Sequence, residues 1–192
     1  MAEADRNRQE VMEIERTPLE GLLVLRPKVF RDERGWFLES FNARAFKEAT
    51  GLDPRFVQDN ESRSQAGVLR GLHYQAPPRA QGKLVRVIVG AVLDVCLDIR
   101  PASPTFGRHY KIVLTGEEKS MLWIPEGFAH GFRTLEDATI FSYKCTDFYH
   151  PPSERTVLWN DPALGIDWGI TEPVLSAKDR AGVPLAAMTI NA

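Results

Sequence analysis

The feature that most constrains this chain is the shortness of its apolar runs and what separates them. From Leu22 to Asp147, brief hydrophobic stretches are broken again and again by Gly, Pro, Asn and Asp. Ala91 to Ile99 is the clearest. Leu93, Val95, Leu97 and Ile99 alternate there with Val92, Asp94, Cys96 and Asp98. A period of two suits a strand and not a helix, and acids on one side predict that this strand is half buried. Leu22–Phe30, Trp36–Phe41, Phe56–Asn60, Leu69–Gln75, Leu84–Val89, His109–Leu114, Met121–Ile124, Gly131–Leu135 and Ala138–Asp147 read as further strands. Asp32-Glu33-Arg34-Gly35 is a turn, making 22–41 a candidate hairpin, and Glu61–Gly67 is polar enough to be a loop. Asn42 can cap a short helix that Gly51 closes. Beyond Tyr149 the chain is rich in Pro and Gly and is expected to wrap the rest, with a helical turn near Ser176. Short, regularly spaced strands with such turns predict a mainly β chain: an antiparallel sandwich or jelly-roll barrel with a few short helices.

The 192 residues suit one domain with a sizeable core. Residues 1–13 are polar and charged and are expected to form a flexible extension, leaving 14–192 as the domain. A net charge of −2 with no basic block argues against nucleic-acid and membrane-surface partners. No apolar run approaches the length of a membrane span, and the first residues lack the apolar core of a signal peptide. Cys96 and Cys145 lie in apolar, strand-like runs, which favours buried free thiols over a disulfide. A cytoplasmic protein is the expectation.

Chemistry concentrates first in Leu69-Arg70-Gly71-Leu72-His73-Tyr74-Gln75, a strand with a histidine inside it. Past a loop holding Pro77 and Pro78, Lys83 opens the longest apolar run of the chain. A base beside a fixed cation is what proton removal next to a carbonyl requires. Arg70 and His73 have opposite parity on an ideal strand, so both reach one site only if Gly71 bends or bulges the chain. Pro125-Glu126-Gly127-Phe128-Ala129-His130 fits the Pro-x-Gly-x-x-His turn of cupin barrels, where the histidine points inward as a metal ligand. The partner strand of such barrels carries His-x-His. Here it reads His73-Tyr74-Gln75, one ligand short of the three or four a transition metal needs. The expectation is a cupin-shaped barrel without a metal, and for His130 alone a buried, hydrogen-bonded histidine serves as well.

Asp179 closes Ser176-Ala177-Lys178-Asp179, which also reads as a helix capping box. Gly182 and Pro184 interrupt the apolar run that should follow one. Tyr143 shares a strand face with Thr139, Phe141 and Cys145, where a core tyrosine with a satisfied hydroxyl is the plain reading. Phe30, Trp36, Phe37 and Tyr149 could stack on a flat ring, with core packing the commoner fate of any one of them.

Together, several segments resemble the dTDP-4-dehydrorhamnose 3,5-epimerase family: 27–35, Phe56-Val57-Gln58-Asp59-Asn60 with 69–75, Gln81-Gly82-Lys83-Leu84-Val85-Arg86, and 123–132. Leu158-Trp159-Asn160-Asp161 and 175–179 extend the match, which runs from about residue 14 to 185. The resemblance implies a cupin-type jelly roll acting on a dTDP-4-keto-6-deoxy sugar, without metal or organic cofactor. It makes His73 the general base, Asp179 its paired carboxylate, Tyr143 the acid on the opposite side of the sugar and Lys83 the cation near the C4 oxygen. Arg34, Glu39, Gln58, Asn60, Arg70, His130, Glu154 and Lys178 would hold the nucleotide-sugar. Tyr149 would stack on thymine, and Phe30 and Phe37 are further candidates for contact with the ligand. A homodimer with exchanged strands is implied, with Arg34 and Glu39 serving the neighbouring site.

These groups suit the chemistry. Hydrogens on C3 and C5 flank a C4 ketone, so removing either gives an enolate whose charge must be stabilised. Inversion then needs a proton from the other face, which a positioned tyrosine supplies. The competing readings are epimerisation at C3 only, a metal-dependent cupin and a sugar-binding module. The last has no use for an acid–base pair.

Overall fold

A computed structural model describes residues 12–189. Among these residues, thirteen strands form two facing antiparallel sheets and one small hairpin. The six-stranded sheet runs β1 (Met12–Arg16), β2 (Leu23–Pro27), β10 (Met121–Ile124), β7 (Lys83–Val89), β12 (Thr139–Cys145), β5 (Gln58–Ser64). The five-stranded sheet runs β13 (Glu154–Thr156), β6 (Leu69–Gln75), β11 (Phe128–Thr134), β8 (Ala91–Asp98), β9 (His109–Thr115). This is the expected cupin-type jelly roll. No helix among the described residues is long and apolar enough to cross a membrane.

Val24, Val85, Val87, Leu122 and Phe141 of the first sheet meet Val92, Cys96, Leu114 and Phe132 of the second in the barrel interior. The outer face of each sheet is covered locally. Helix α1 (Ala43–Thr50) lays Phe46 against Trp123, with ring centroids 5.6 Å apart, and Phe41 and Phe56 join them. Asn42 caps it through bonds from the Arg44 and Ala45 amides, and Gly51 ends it at φ 75°. The tail seals the other sheet: Val157, Leu164, Trp168 and Leu185 pack on Leu69, Val95 and Leu97. The expectation of a wrapping tail holds, and its helical turn is α2 (Ala177–Arg180).

Several boundaries differ from the sequence reading. Met12 and Glu13 already belong to β1, so the ordered domain starts before residue 14; the flexibility expected of 1–11 lies outside the described residues. Leu22–Phe30 is not one strand. It breaks after Pro27, which has no N–H to continue a ladder, and resumes as β3 (Phe30–Asp32), which pairs with β4 (Gly35–Phe37). β2 pairs instead with β1 and β10. Residues 61–64 are strand, not loop. Asp94 and Asp98 are fully buried, because they lie on the side of β8 that also carries Val92 and Cys96 and faces the barrel interior, while the tail covers the other side. Phe30 and Phe37 are exposed at 54% and 65%, with their ring centroids 6.4 Å apart, not packed in a core.

Candidate active site

A cavity of about 740 Å³ opens between the two sheets. Strands β6 and β11 supply Arg70, His73, His130 and Phe132 from one side. Strands β5, β7 and β12 supply Gln58, Asn60, Ser62, Lys83, Phe141 and Tyr143 from the other. The tail closes it with Glu154, Lys178 and Asp179.

Gly71 decides how β6 presents its side chains. His73 pairs with His130, but Arg70 pairs with Phe132, so β6 carries one residue more than β11 between those points. The extra residue is a bulge that brings Arg70 and His73 to the same cavity, as their parity demanded. Only glycine fits there: φ is 129°, and a Cβ would lie 2.5 Å from the Gly131 Cα on the facing strand.

His73 Nε2 lies 2.6 Å from Asp179 Oδ1. That oxygen also accepts the Gly71 N–H at 3.1 Å, while Oδ2 accepts the Ser176 hydroxyl at 2.5 Å and its amide at 3.3 Å. The capping box is therefore fully formed, and the same carboxylate holds the histidine. Both readings of Asp179 are true together. Burial alone would raise its pKa, but the bonds from His73 and Ser176 outweigh that and hold it at about 2. Burial pushes the His73 pKa down against the opposing pull of Asp179, and the charges of Lys178 and Lys83 push the same way. With its Nε2 proton aimed at the carboxylate, His73 keeps a lone pair on Nδ1.

Lys83 is buried opposite, and its Nζ donates to the His73 carbonyl at 3.4 Å. Desolvation lowers its pKa, opposed by Cys145, Cys96, Asp94 and Glu154. The Tyr143 hydroxyl bonds no protein group among the described residues, contrary to the satisfied core tyrosine, and burial raises its pKa. His130 is a buried, bonded histidine that also lines the cavity: its Nε2 is 2.9 and 3.0 Å from the two Asp94 oxygens. Asp94, missed in the sequence, makes with Cys96 and His130 the one cluster among the described residues whose donor atoms could surround a metal, all within 4.8 Å of one another.

At the mouth, Glu154 accepts from Tyr149 Oη at 3.0 Å and from Lys178 Nζ at 2.7 Å. Burial alone would raise its pKa, and these two bonds bring it below the usual carboxylate value. Gln58 accepts the Tyr149 amide at 2.8 Å and donates to Asn60 at 3.0 Å. Arg70 donates to Ser64 at 3.2 Å. Arg34, Glu39, Phe30 and Phe37 stand outside this cavity. Arg34 pairs with Asp32 in the hairpin turn, and Glu39 accepts from Asn42 at 3.2 Å.

The family model for dTDP-4-dehydrorhamnose 3,5-epimerase matches residues 16–187. The chain belongs to that family. The Shigella flexneri dTDP-4-dehydrorhamnose 3,5-epimerase is 53% identical over 89% of this chain and 94% of its own length. The Salmonella typhimurium enzyme of the same name is 54% identical over the same shares. A Legionella pneumophila epimerase, solved in complex with dTDP-4-keto-L-rhamnose, superposes with a TM-score of 0.89 at 52% identity, covering 93% of this chain and 95% of that one.

Proposed function

We propose that this family member inverts C3 and C5 of dTDP-4-keto-6-deoxyglucose, giving dTDP-4-dehydro-L-rhamnose, with His73 as base and Tyr143 as acid. One observation carries the assignment of roles: His73 and Tyr143 enter a single cavity from opposite sheets, and Lys83, buried on the strand beside that of Tyr143, reaches the His73 carbonyl. His73 Nδ1 takes the C3 proton, and the electron pair of the broken C–H bond passes to the C4 oxygen. The Lys83 ammonium lies in a desolvated place, where it gains most when negative charge appears beside it. Tyr143, kept protonated by its raised pKa, returns a proton to carbon from the other face. The same cycle at C5 follows after His73 loses its proton and Tyr143 regains one. Asp179 favours the imidazolium that forms in each cycle.

Arg70 suits the diphosphate, and Tyr149 the thymine. No step calls for a metal or an organic cofactor. Arg34, Glu39, Phe30 and Phe37 fit a homodimer in which the exposed hairpin enters the neighbour's cavity. Its aromatic face, otherwise left in water, supports that arrangement. A nucleotide-sugar substrate goes with work in the cytoplasm.

The test is incubation with dTDP-4-keto-6-deoxyglucose in deuterium oxide, following C3 and C5 by NMR. Exchange at both positions, abolished in His73→Asn, is the expected result. Exchange at C3 alone would make the protein a single epimerase, and no exchange would remove the proposed chemistry.

A further inference from the structure

The segment from Thr146 to His150 has no regular structure, yet it carries Tyr149. Its backbone groups are met largely by glutamine side chains. Gln81 donates to the Asp147 carbonyl at 2.7 Å, Gln75 to the Phe148 carbonyl at 3.2 Å, and Gln58 accepts the Tyr149 amide at 2.8 Å. Gln75 differs from the other two. It is buried, and its amide is fully engaged: it also donates to the Arg79 carbonyl at 2.7 Å and accepts the His150 amide at 2.7 Å. Its backbone pairs with Glu154, the acceptor of the Tyr149 hydroxyl. It lies two residues beyond His73 on the same strand.

Phe148 and Tyr149 are 60% and 53% exposed, so side-chain packing fixes neither. What orders the segment is the set of amide anchors, and a buried amide with three partners cannot be removed without leaving two carbonyls and an N–H unpaired. We propose that Gln75 is a positioning residue: it fixes Tyr149, and so the nucleotide end of the cavity, relative to the strand that bears the base. The inference rests on Tyr149 contacting the nucleotide.

The experiment measures dTDP affinity by calorimetry and steady-state kinetics in Gln75→Met, Tyr149→Ala and the double variant. Gln75→Met is expected to weaken dTDP binding and raise KM by about tenfold, with kcat and its pH profile close to the parent's. The double variant should bind dTDP no worse than Tyr149→Ala alone, because Gln75 acts through that ring. If Gln75→Met lowers kcat at unchanged dTDP affinity, or if the two losses add in full, the positioning role is overturned. If Tyr149→Ala leaves dTDP binding intact, the nucleotide reading of Tyr149 has failed, independently of Gln75. Should Gln75→Met fail to fold, Gln75→Asn withdraws the amide by one methylene and must show the same split; equal binding and kinetics in that variant would overturn the role as well.

Discussion

His73 and His130 are direct partners on adjacent strands, and each offers Nε2 to an aspartate, yet the two pairs are built differently. Asp179 comes from the tail, on a short helix that it caps, and holds bonds from Gly71 and Ser176 besides the histidine. Asp94 comes from the neighbouring core strand, fully buried, with the Cys96 thiol 3.8 Å away. The His73 side chain is 24% exposed and that of His130 8%. A base must exchange its proton with solvent between turnovers, and only the first pair has that opening. The second is suited to orient one side chain rigidly against the substrate. On the proposed reading, the same two residue types serve a proton shuttle or a fixed contact according to access and to what else holds the carboxylate.

The sharpest way to break this comparison is to remove each histidine. His73→Asn should lower kcat by about 10³- to 10⁴-fold and abolish deuterium entry at C3 and C5. His130→Asn should cost about 10- to 100-fold in kcat/KM, the size of one or two lost polar contacts, and still permit exchange. Equal losses, or exchange surviving without His73, would show that the pairs are interchangeable. Tyr143→Phe belongs beside them. Inverted product should fall by about 10²- to 10³-fold, while exchange through His73 continues with retention of configuration. Loss of exchange in that variant would mean the tyrosine is needed for enolate formation itself.

The next effect is smaller and concerns the carboxylates. Because burial lowers the His73 pKa, activity should fall with acid only below pH 6.5, the ordinary value for histidine. Asp179 opposes that lowering, so Asp179→Asn should move the acid limb of kcat/KM further down and cost about 10- to 100-fold at its plateau. A limb moving upward would contradict the pairing. Stability gives a second reading of the same group. The folded pKa of Asp179 is about 2, against 3.8 for the free side chain. Its contribution, on the order of 2 kcal/mol, is complete above pH 3.8 and disappears as pH falls through 2. Acid titration of Tm in the parent and in Asp179→Asn should converge at that end.

How much of this was legible in the sequence depended on what each residue faced. Strands that bury apolar side chains announced themselves, as β6, β7, β10 and β12 did. β5 did not beyond Asn60, because its inward residues Gln58, Asn60 and Ser62 line the polar cavity, Ser64 accepts from Arg70, and no hydrophobic period is left to read. Asp94 was misplaced for a related reason. Alternation assigns acids to the wet side, but both sides of β8 are covered: the tail packs on Val95 and Leu97, and the side Asp94 shares with Val92 and Cys96 faces the barrel interior. Asp179 showed the reverse: a local capping signal was genuine, and the tertiary fold used its carboxylate twice. The placement of His73 with Arg70 was foreseeable as a condition on Gly71, since parity alone forbade it. The exposed aromatic hairpin was not, because single-chain patterning expects Phe30 and Phe37 to be buried within their own fold.

The smallest expected effect tests the second pair by subtraction. Asp94, Cys96 and His130 present one oxygen, one sulfur and one nitrogen, a set that zinc can take. Against that, burial and the Asp94 charge push the Cys96 thiol well above its usual pKa, and the Lys83 cation is close enough to influence it. A metal there would have to displace the thiol proton, separate His130 from Asp94 and sit near a positive charge. Treatment with a strong chelator followed by metal analysis should therefore leave kcat/KM within about twofold of the untreated enzyme, less than the loss of one hydrogen bond. If activity disappears and zinc restores it, His130 and Asp94 are ligands, and the contrast between an open base and a fixed contact becomes one between a base and a metal centre.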